Sequence, residues 1–251
     1  MATPAFLGVD LAWGTRGRTG LAAVHGAGVL CSATAARTDA EILGWLEPRV
    51  AGACLVAFDA PLIVTNPSGQ RRCEAELTAD FRRYDAGTHP SNTSRPELAH
   101  GGRALHLSQR LELDTDPRSP HDRRAIEVYP HPASVMLFGL DRTLKYKHKP
   151  GRTHEMLRAE LLRLMDHIEA LQAADPPLQV RAAPEWRAIR ATVETATRKS
   201  ALKQVEDVVD AVLCAYISLY ATRRPGDTTV YGDAATGYIV TPSLPGRRPP
   251  W

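Results

Sequence analysis

The stretch that decides the fold is VEDVVDAVLCAY, residues 205–216, in the last quarter of the chain. It lies within RKSALKQVEDVVDAVLCAYISLYATRR, which predicts the longest helix of the protein. After Asp210, no charged residue appears until Arg223. A helix that is apolar or small on every side is buried on every side. The sequence therefore predicts a central helix whose acids lie where it enters the core.

The acids of this helix share one face. Asp207 and Asp210 are three residues apart, which places their Cβ atoms roughly 5–6 Å from each other. A solvated polar face is the ordinary explanation for such a pair. Here, however, the same face continues as Ala211, Cys214 and Ser218. We therefore predict that both carboxylates project onto the edge of a sheet.

Three predicted strands each carry one further acid. Asp10 stands in FLGVDLAW, Asp59 ends CLVAFDAP and Glu127 interrupts AIEVYP. A buried carboxylate costs several kcal/mol unless a cation or hydrogen-bond donors compensate it. Taken singly, each acid has an ordinary alternative, a turn before proline for Asp59 and an arginine partner for the other two. Together with the helix acids they predict a cluster.

A cluster of carboxylates needs a cation to stay ionised, because like charges raise one another's pKa. Oxygen donors without a His/Cys set favour Mg²⁺ or Mn²⁺ over zinc. Two such ions can activate a water and stabilise the leaving oxygen in phosphodiester cleavage. The acids therefore predict a metal-dependent nuclease with a two-metal-ion mechanism.

The rest of the chain predicts an α/β fold in one domain, residues 1–251. The opening segments favour an antiparallel meander of three strands, followed by a helix capped by Thr38 or Asp39. ACLVAFDAPL is apolar enough for a central strand covered on both faces. Residues 65–124 predict an irregular Arg-rich insertion with a helix around 72–83. A long amphipathic helix is expected in THEMLRAELLRLMDHIEALQ, and a C-terminal hairpin at about 228–242.

Composition is ordinary for a globular protein. Apolar residues make up 43% of the 251 and the net charge is +3, which permits an anionic partner without requiring one. The four cysteines show no metal-ligand spacing, and Cys54 and Cys214 lie in apolar runs, as reduced core cysteines do. With no predicted leader or membrane span, we expect a cytoplasmic protein; a homodimer is an open alternative to a monomer.

Basic residues supply the contacts that a nucleic-acid partner would need. The insertion is rich in arginine, and LKYKHKPGR places Lys145 and Lys147 on either side of Tyr146. Lysine and arginine bind phosphates, and an interleaved aromatic can stack a base. A solvated surface is the alternative explanation for such runs. His131 in YPHP is a candidate base or ligand, although a lone histidine after a strand is more often structural.

Seven motifs together resemble a known family. They are GVDLAWG, FDAPL, RRCEAEL, EVYPHPA, LKYKHK, EDVVDAVLCAY and GYIVTP, in this order along the chain. The chain resembles the predicted ribonuclease-H-like nuclease family, a domain family of unknown function. The central motifs are also similar to those of Holliday-junction resolvases and other members of the ribonuclease H superfamily. The resemblance implies a ribonuclease-H-like mixed sheet flanked by helices.

The resemblance also implies roles for individual residues. Asp10 would bridge two Mg²⁺ ions, Asp59 or Glu127 would be the strand partner, and Asp207 with Asp210 would be the helical ligands. Asp59 occupies the better topological position, which would leave Glu127 beside the substrate or behind the ligands. Around them, the residues expected to bind substrate or brace the acids are Arg72, Glu74, Lys145 and Lys147. The expected partner is DNA or RNA.

Two other functions remain open on the sequence. An actin-like kinase or ATPase also begins with an acid-bearing strand and a Gly/Thr turn, as in DLAWGTRGRTG. That fold needs two related domains, for which this chain is short. The second alternative is a non-catalytic nucleic-acid-binding module on a ribonuclease-H scaffold, because fold does not determine function.

Overall fold

The computed structural model describes residues 4–14 and 17–246, which form a five-stranded mixed sheet flanked by helices. Its strands are β1 (Ala5–Asp10), β2 (Thr19–His25), β3 (Leu30–Ala36), β4 (Cys54–Phe58) and β5 (Arg123–Glu127). They lie in the order β3-β2-β1-β4-β5. The predicted mixed α/β architecture is confirmed.

The sheet has an antiparallel half and a parallel half. β2 is antiparallel to both β1 and β3, as the predicted meander requires. β4 lies between β1 and β5 and runs parallel to both. All five residues of β4 are buried, which is the pattern of a strand covered on both faces.

Seven α-helices surround the sheet in the described part of the chain. They are α1 (Asp39–Leu46), α2 (Arg72–Phe81), α3 (Arg103–Arg110), α4 (Pro130–Phe138), α5 (His154–Ala170), α6 (Pro184–Thr195) and α7 (Lys199–Arg223). Thr38 caps α1 through a reciprocal pair of hydrogen bonds with Glu41, which decides between the two candidate caps. The predicted helices in the insertion and in the second half of the chain are present.

Two helices, α4 and α6, did not follow from the sequence patterns. The segment RAIEVYPHP was predicted as strand, but β5 ends at Glu127 and α4 begins at Pro130. Proline suits the first turn of a helix, because that turn has no intrahelical partner for an N–H. The short spacing from strand end to helix start brings His131 close to the end of the sheet.

Helix α7 crosses the sheet at unusually short range. A Cβ atom at Gly8 of β1 would lie 1.9 Å from the carbonyl oxygen of Ala211, and one at Gly20 of β2 would lie 1.8 Å from that of Asp207. Only glycine permits such an approach of one backbone to another. Every residue from Glu206 to Leu219 is buried, as predicted.

The C-terminal hairpin predicted at about 228–242 is present as β6 (Thr228–Asp233) and β7 (Gly237–Pro242). It packs against α2 and reaches the end of β5 through a bridge between Val128 and Val240. Three cysteines, among them Cys54 and Cys214, are buried, and all four are free. Among the described residues, no helix has both the length and the apolar character needed to cross a bilayer.

Candidate active site

The three strand acids lie at one edge of the sheet. Asp10 ends β1, Glu127 ends β5, and Asp59 directly follows β4. These strands are parallel neighbours, so their carboxyl ends meet at the same edge, where ligand sites of such sheets are found. The backbone N–H of Asp59 donates to the carbonyl of Val9 at 2.9 Å, which sets Asp59 beside Asp10.

Asp210 reaches the same edge from α7. Its side chain is completely buried and is held by two residues that are adjacent to each other in the chain, Tyr146 and Lys147. The Tyr146 hydroxyl donates a hydrogen bond of 2.6 Å to Oδ1. The Lys147 ammonium lies 2.7 Å from Oδ2 and forms an ion pair with it.

The same ammonium also serves Asp10. Lys147 Nζ lies 3.8 Å from Asp10 Oδ2, so one cation stands between two carboxylates. Within the described part of the chain, Asp10 Oδ2 is buried without a hydrogen-bond donor, and its ion-pair partner Lys147 is 3.8 Å away. Buried polar atoms without partners are rare and costly. This pair therefore has less compensation than its burial demands.

The pKa values reflect this shortage of positive charge. Burial raises the pKa of Asp10 well above its usual value, and the charges of Asp59 and Asp210 add to the shift against the influence of Lys147. Burial likewise raises the pKa of Asp59 to about 7. For Lys147, burial alone would lower the pKa, but the charges of Asp10 and Asp210 raise it well above normal. Without a further cation, this site binds protons readily.

Glu127 belongs to a different arrangement. The guanidinium of Arg71 donates to both of its carboxylate oxygens, at 2.8 and 2.5 Å, and the backbone N–H of Leu62 donates to Oε2 at 2.9 Å. Arg71 also binds Glu74 at 2.9 Å, and Glu74 accepts from the N–H of Ser91. Glu127, Arg71 and Glu74, here called the arginine clamp, tie together β5, the start of α2 and the loop after it.

Asp207 is likewise paired. Lys203 Nζ, one turn earlier on α7, lies 2.7 Å from Asp207 Oδ1 and 2.7 Å from Glu206 Oε1. The two helix acids predicted to act together are thus separated by their partners, because Asp210 turns to Tyr146 and Lys147. Of the five predicted acids, Asp10, Asp59 and Asp210 all interact with the positive charge of Lys147. We call these three the open acids.

The open acids have the donor chemistry of a magnesium or manganese site, since all their donors are carboxylate oxygens. The buried Oδ2 of Asp10, which has no hydrogen-bond donor, also fits a bound cation. As arranged, however, the described residues bring no three His, Cys, Asp or Glu side chains close enough to hold a metal ion. Lys147 holds the position between two of them, so an ion would have to displace its ammonium.

Two of the open acids, Asp10 and Asp59, line a pocket of about 350 Å³, whereas Asp210 is fully buried and contacts the lining residue Lys147. The other residues that line the pocket include Trp13, Arg71, Glu74, Tyr129, His131, Lys145, Lys147, Lys149 and Arg152. The four residues from the LKYKHKPGR segment provide positive charge around buried negative charge. Arg152 organises this segment, because its guanidinium donates to the backbone carbonyls of Lys145 and Lys147.

The predicted substrate-binding residues divide into two groups. Glu74, Lys145 and Lys147 line the pocket, although Glu74 belongs to the arginine clamp and Lys145 pairs with Asp85 at 3.3 Å. Arg72 does not line it: its side chain is 73% exposed and pairs with Glu76 one turn later on α2. The pocket arginine is its neighbour Arg71. Adjacent arginines in RRCE gave no pattern that could tell them apart.

The structure gives two aromatic residues roles that the sequence did not predict. Tyr146, a candidate for base stacking, is buried and orients Asp210 instead. The ring of His131 stacks between Tyr129 and Tyr146, with centroids 5.4 and 5.8 Å away. Burial and the nearby Lys147 charge lower the pKa of His131 to about 3. His131 is therefore neutral at physiological pH and fits a structural role in the pocket wall.

Comparison with protein families matches residues 8–236 to the family described as Protein of unknown function (DUF429). The match covers most of the chain, so the protein belongs to this family. No curated protein and no solved structure matches the chain. The family description assigns no reaction, and the chemistry has to be argued from the pocket.

Proposed function

We propose that this protein is a divalent-metal-dependent hydrolase of phosphodiester bonds in nucleic acid, on a ribonuclease-H-like fold. The observation that carries the proposal is that Asp10 and Asp59 line one pocket with a basic rim, while the buried Asp210 shares Lys147 with Asp10. The three acids come from the first strand, the fourth strand and the last long helix. These are the positions that the resemblance to the ribonuclease H superfamily implied, and the order β3-β2-β1-β4-β5 supports it.

In this proposal the residues around the pocket have three roles: metal binding, support of a metal ligand and attraction of phosphate. Asp10, Asp59 and Asp210 would hold Mg²⁺ or Mn²⁺, which supplies an activated water and neutralises developing charge. Tyr146 holds Asp210 in place through its hydroxyl. Lys145, Lys149 and Arg152 would attract the phosphate backbone to the rim, because such contacts position a nucleic acid without reading its sequence.

The arginine clamp would act in this proposal as a support for the site. Its charges are satisfied internally by short bonds, so Glu127 is not expected to be a metal ligand. Asp59 is then the strand partner of Asp10. Asp207 is assigned to Lys203, and the proposal does not need it as a ligand.

The test is hydrolysis by purified protein with Mg²⁺ or Mn²⁺ and labelled DNA and RNA substrates. Asp10→Asn and Asp210→Asn should each lower the rate by a factor of about 100 or more, because even residues that only orient metal ligands cost roughly 10–100-fold when replaced. Asp166→Asn, an exposed aspartate of α5, is the matched control and should leave the rate unchanged. Hydrolysis that survives both pocket substitutions would falsify the assignment.

The two alternative functions predict different results for the same purified protein. An actin-like kinase should be stabilised against heat by ATP or ADP, yet the described residues contain one five-stranded sheet and no second related one. A non-catalytic module should bind nucleic acid with no turnover under any metal condition. Asp207→Asn separates the sequence-based ligand set from the one proposed here, because only a ligand role predicts a large loss of rate.

A further inference from the structure

The open acids are largely shielded from solvent. The side chain of Asp10 is 12% exposed and that of Asp210 is 0% exposed. The pocket volume of about 350 Å³ is at the low end of the range for small-ligand sites, roughly 300–1,000 Å³. Such a space admits one nucleotide-sized group. One nucleotide of a flexible single strand fits such a space, whereas in an intact duplex the paired strand and its bases accompany every phosphate.

A second pocket adjoins the first. It has a volume of about 740 Å³ and lies between the end of β1, the start of α1 and the region around α3. Trp13 lines both pockets and therefore lies where they adjoin. A flexible strand that placed one nucleotide over the open acids would pass this indole on its way into the second pocket.

Trp13 has the surroundings of a base-stacking residue. It is only half-buried, and the guanidinium of Arg95 lies over its ring, 5.5 Å from the centroid. An aromatic face next to an arginine combines stacking with attraction to phosphate, which is how proteins hold single strands without regard to sequence. Arg95 comes from the Arg-rich insertion, so the insertion contributes to this platform.

We propose that the site acts on single-stranded nucleic acid, with one nucleotide over the open acids and the adjacent base stacked on Trp13. The inference rests on the proposed function for the presence of a nucleic acid in the pocket. It adds the class of substrate and a binding position outside the acid pocket. Duplexes would bind only where their ends or damaged bases open.

The chain offers a matched control for Trp13. Trp45 on α1 is also half-buried and also carries an arginine over its ring, with the Arg49 guanidinium 4.1 Å from the centroid. The described lining of neither pocket includes Trp45. Replacing either residue by alanine removes the same indole and the same type of cation–π pair. Only Trp13→Ala removes the proposed platform.

Binding is measured by fluorescence anisotropy in EDTA, with a labelled twelve-nucleotide strand and the blunt duplex of the same sequence, as DNA and as RNA. The single strand should bind about tenfold or more tightly than the duplex. Trp13→Ala should weaken single-strand binding by about tenfold, which lies within the range that stacking on one aromatic contributes. Trp45→Ala should leave it unchanged, and Trp13→Phe, which keeps a ring, should restore most of it.

The outcomes separate this inference from the hydrolase proposal. Equal or tighter binding of the duplex, equal losses in the two alanine variants, or no binding of either probe overturns the inference. Preferential single-strand binding that depends on Trp13, with no hydrolysis under any metal condition, supports the inference and removes the hydrolase. Hydrolysis of duplex and single strand at equal rates supports the hydrolase and overturns the inference. Circular dichroism and thermal unfolding of each variant confirm that it is folded.

Discussion

The protein buries two groups of carboxylates side by side and compensates them very differently. In the arginine clamp, a single guanidinium binds Glu127 through two nitrogens and Glu74 through a third contact, and backbone N–H groups complete the set. At the open acids, one lysine lies between Asp10 and Asp210, and Asp10 Oδ2 is left without a hydrogen-bond donor. The clamp therefore has the character of a structural brace, and the open acids have that of a binding site.

The difference follows from the chemistry of the two cations. Arginine is planar and always charged, and it satisfies a carboxylate through parallel hydrogen bonds. Lysine is a compact point charge on a mobile stem and exchanges partners more easily. A carboxylate paired with arginine is a poor metal ligand because its lone pairs are in use. Carboxylates that share a lysine can accept another cation when the lysine withdraws.

The largest effect on stability is expected from Arg71→Ala. The substitution leaves Glu127 and Glu74 buried without their cation, and breaking a buried ion pair in this way costs about 3–5 kcal/mol. Urea unfolding followed by circular dichroism measures the loss. If the variant is as stable as the wild type, the clamp is not a brace and the contrast with the open acids fails.

The next effect concerns Asp59 and its dependence on pH. Its pKa of about 7 in the folded protein lies above its usual value of 3.8, so the folded state binds this proton more tightly than the unfolded state. The contribution of Asp59 to stability therefore falls as pH rises from about 4 to about 7. Asp59→Asn removes this loss, on the order of 4 kcal/mol for a shift of this size. We expect the variant to gain stability over the wild type at pH 8 but not at pH 4, when unfolding is measured in EDTA.

A divalent ion should also change the stability of the folded protein at high pH. At pH 8, Mn²⁺ or Mg²⁺ should raise the melting temperature of the wild type, because a ligand that binds only the folded state stabilises it. The gain should be smaller in Asp59→Asn, which lacks one carboxylate. Equal gains in the two proteins would place the ion elsewhere.

A smaller effect is expected when the competing cation is removed. Lys147→Met takes away the ammonium that lies 2.7 Å from Asp210. Ion pairs at such distances near a protein surface interact by a few kcal/mol, and about 1.4 kcal/mol corresponds to tenfold in affinity. We expect Mn²⁺, titrated calorimetrically, to bind about tenfold more tightly to the variant. Lys149→Met, an exposed lysine of the same segment, is the control. Weaker binding to Lys147→Met would show that the lysine does not occupy the cation position.

The smallest effect tests the neighbour of the clamp. Arg72 is exposed and forms a surface pair with Glu76. Surface pairs of this spacing contribute about 0.3–0.5 kcal/mol. Arg72→Ala should therefore change the free energy of unfolding by no more than about 0.5 kcal/mol and leave hydrolysis unchanged. A large loss of activity would show that Arg72 takes part in the site, as the sequence motif predicted.

Much of the fold could be predicted because it depends on local patterns. Runs such as ACLVAFDAPL are too apolar for an exposed strand, and the uncharged stretch after Asp210 can only be a buried helix. Capping residues marked the start of α1. Helices α4 and α6 were missed because both begin at a proline, Pro130 and Pro184, and a proline is as typical of a turn as of a first helical turn.

The site was predictable at the level of which acids enter apolar segments, and less so at the level of their partners. Nothing in RRCE distinguishes the buried Arg71 from the exposed Arg72, since the choice depends on which one faces Glu127, 56 residues away. The alternation in LKYKHK likewise resembled a solvated basic run. Its central residues, Tyr146 and Lys147, turn inward because Asp210 lies within their reach.

The sequence by itself determined that this chain forms a mixed α/β sheet around a buried helix and that acids enter its core, because burial and periodicity are written in local order. Only the tertiary structure decided which acids stay open. That outcome depends on which cation each carboxylate contacts. Contacts between residues this far apart in the chain depend on the packing of α7 against Gly8 and Gly20. Charge compensation is a property of three-dimensional neighbours, and here it separates a brace from a candidate active site.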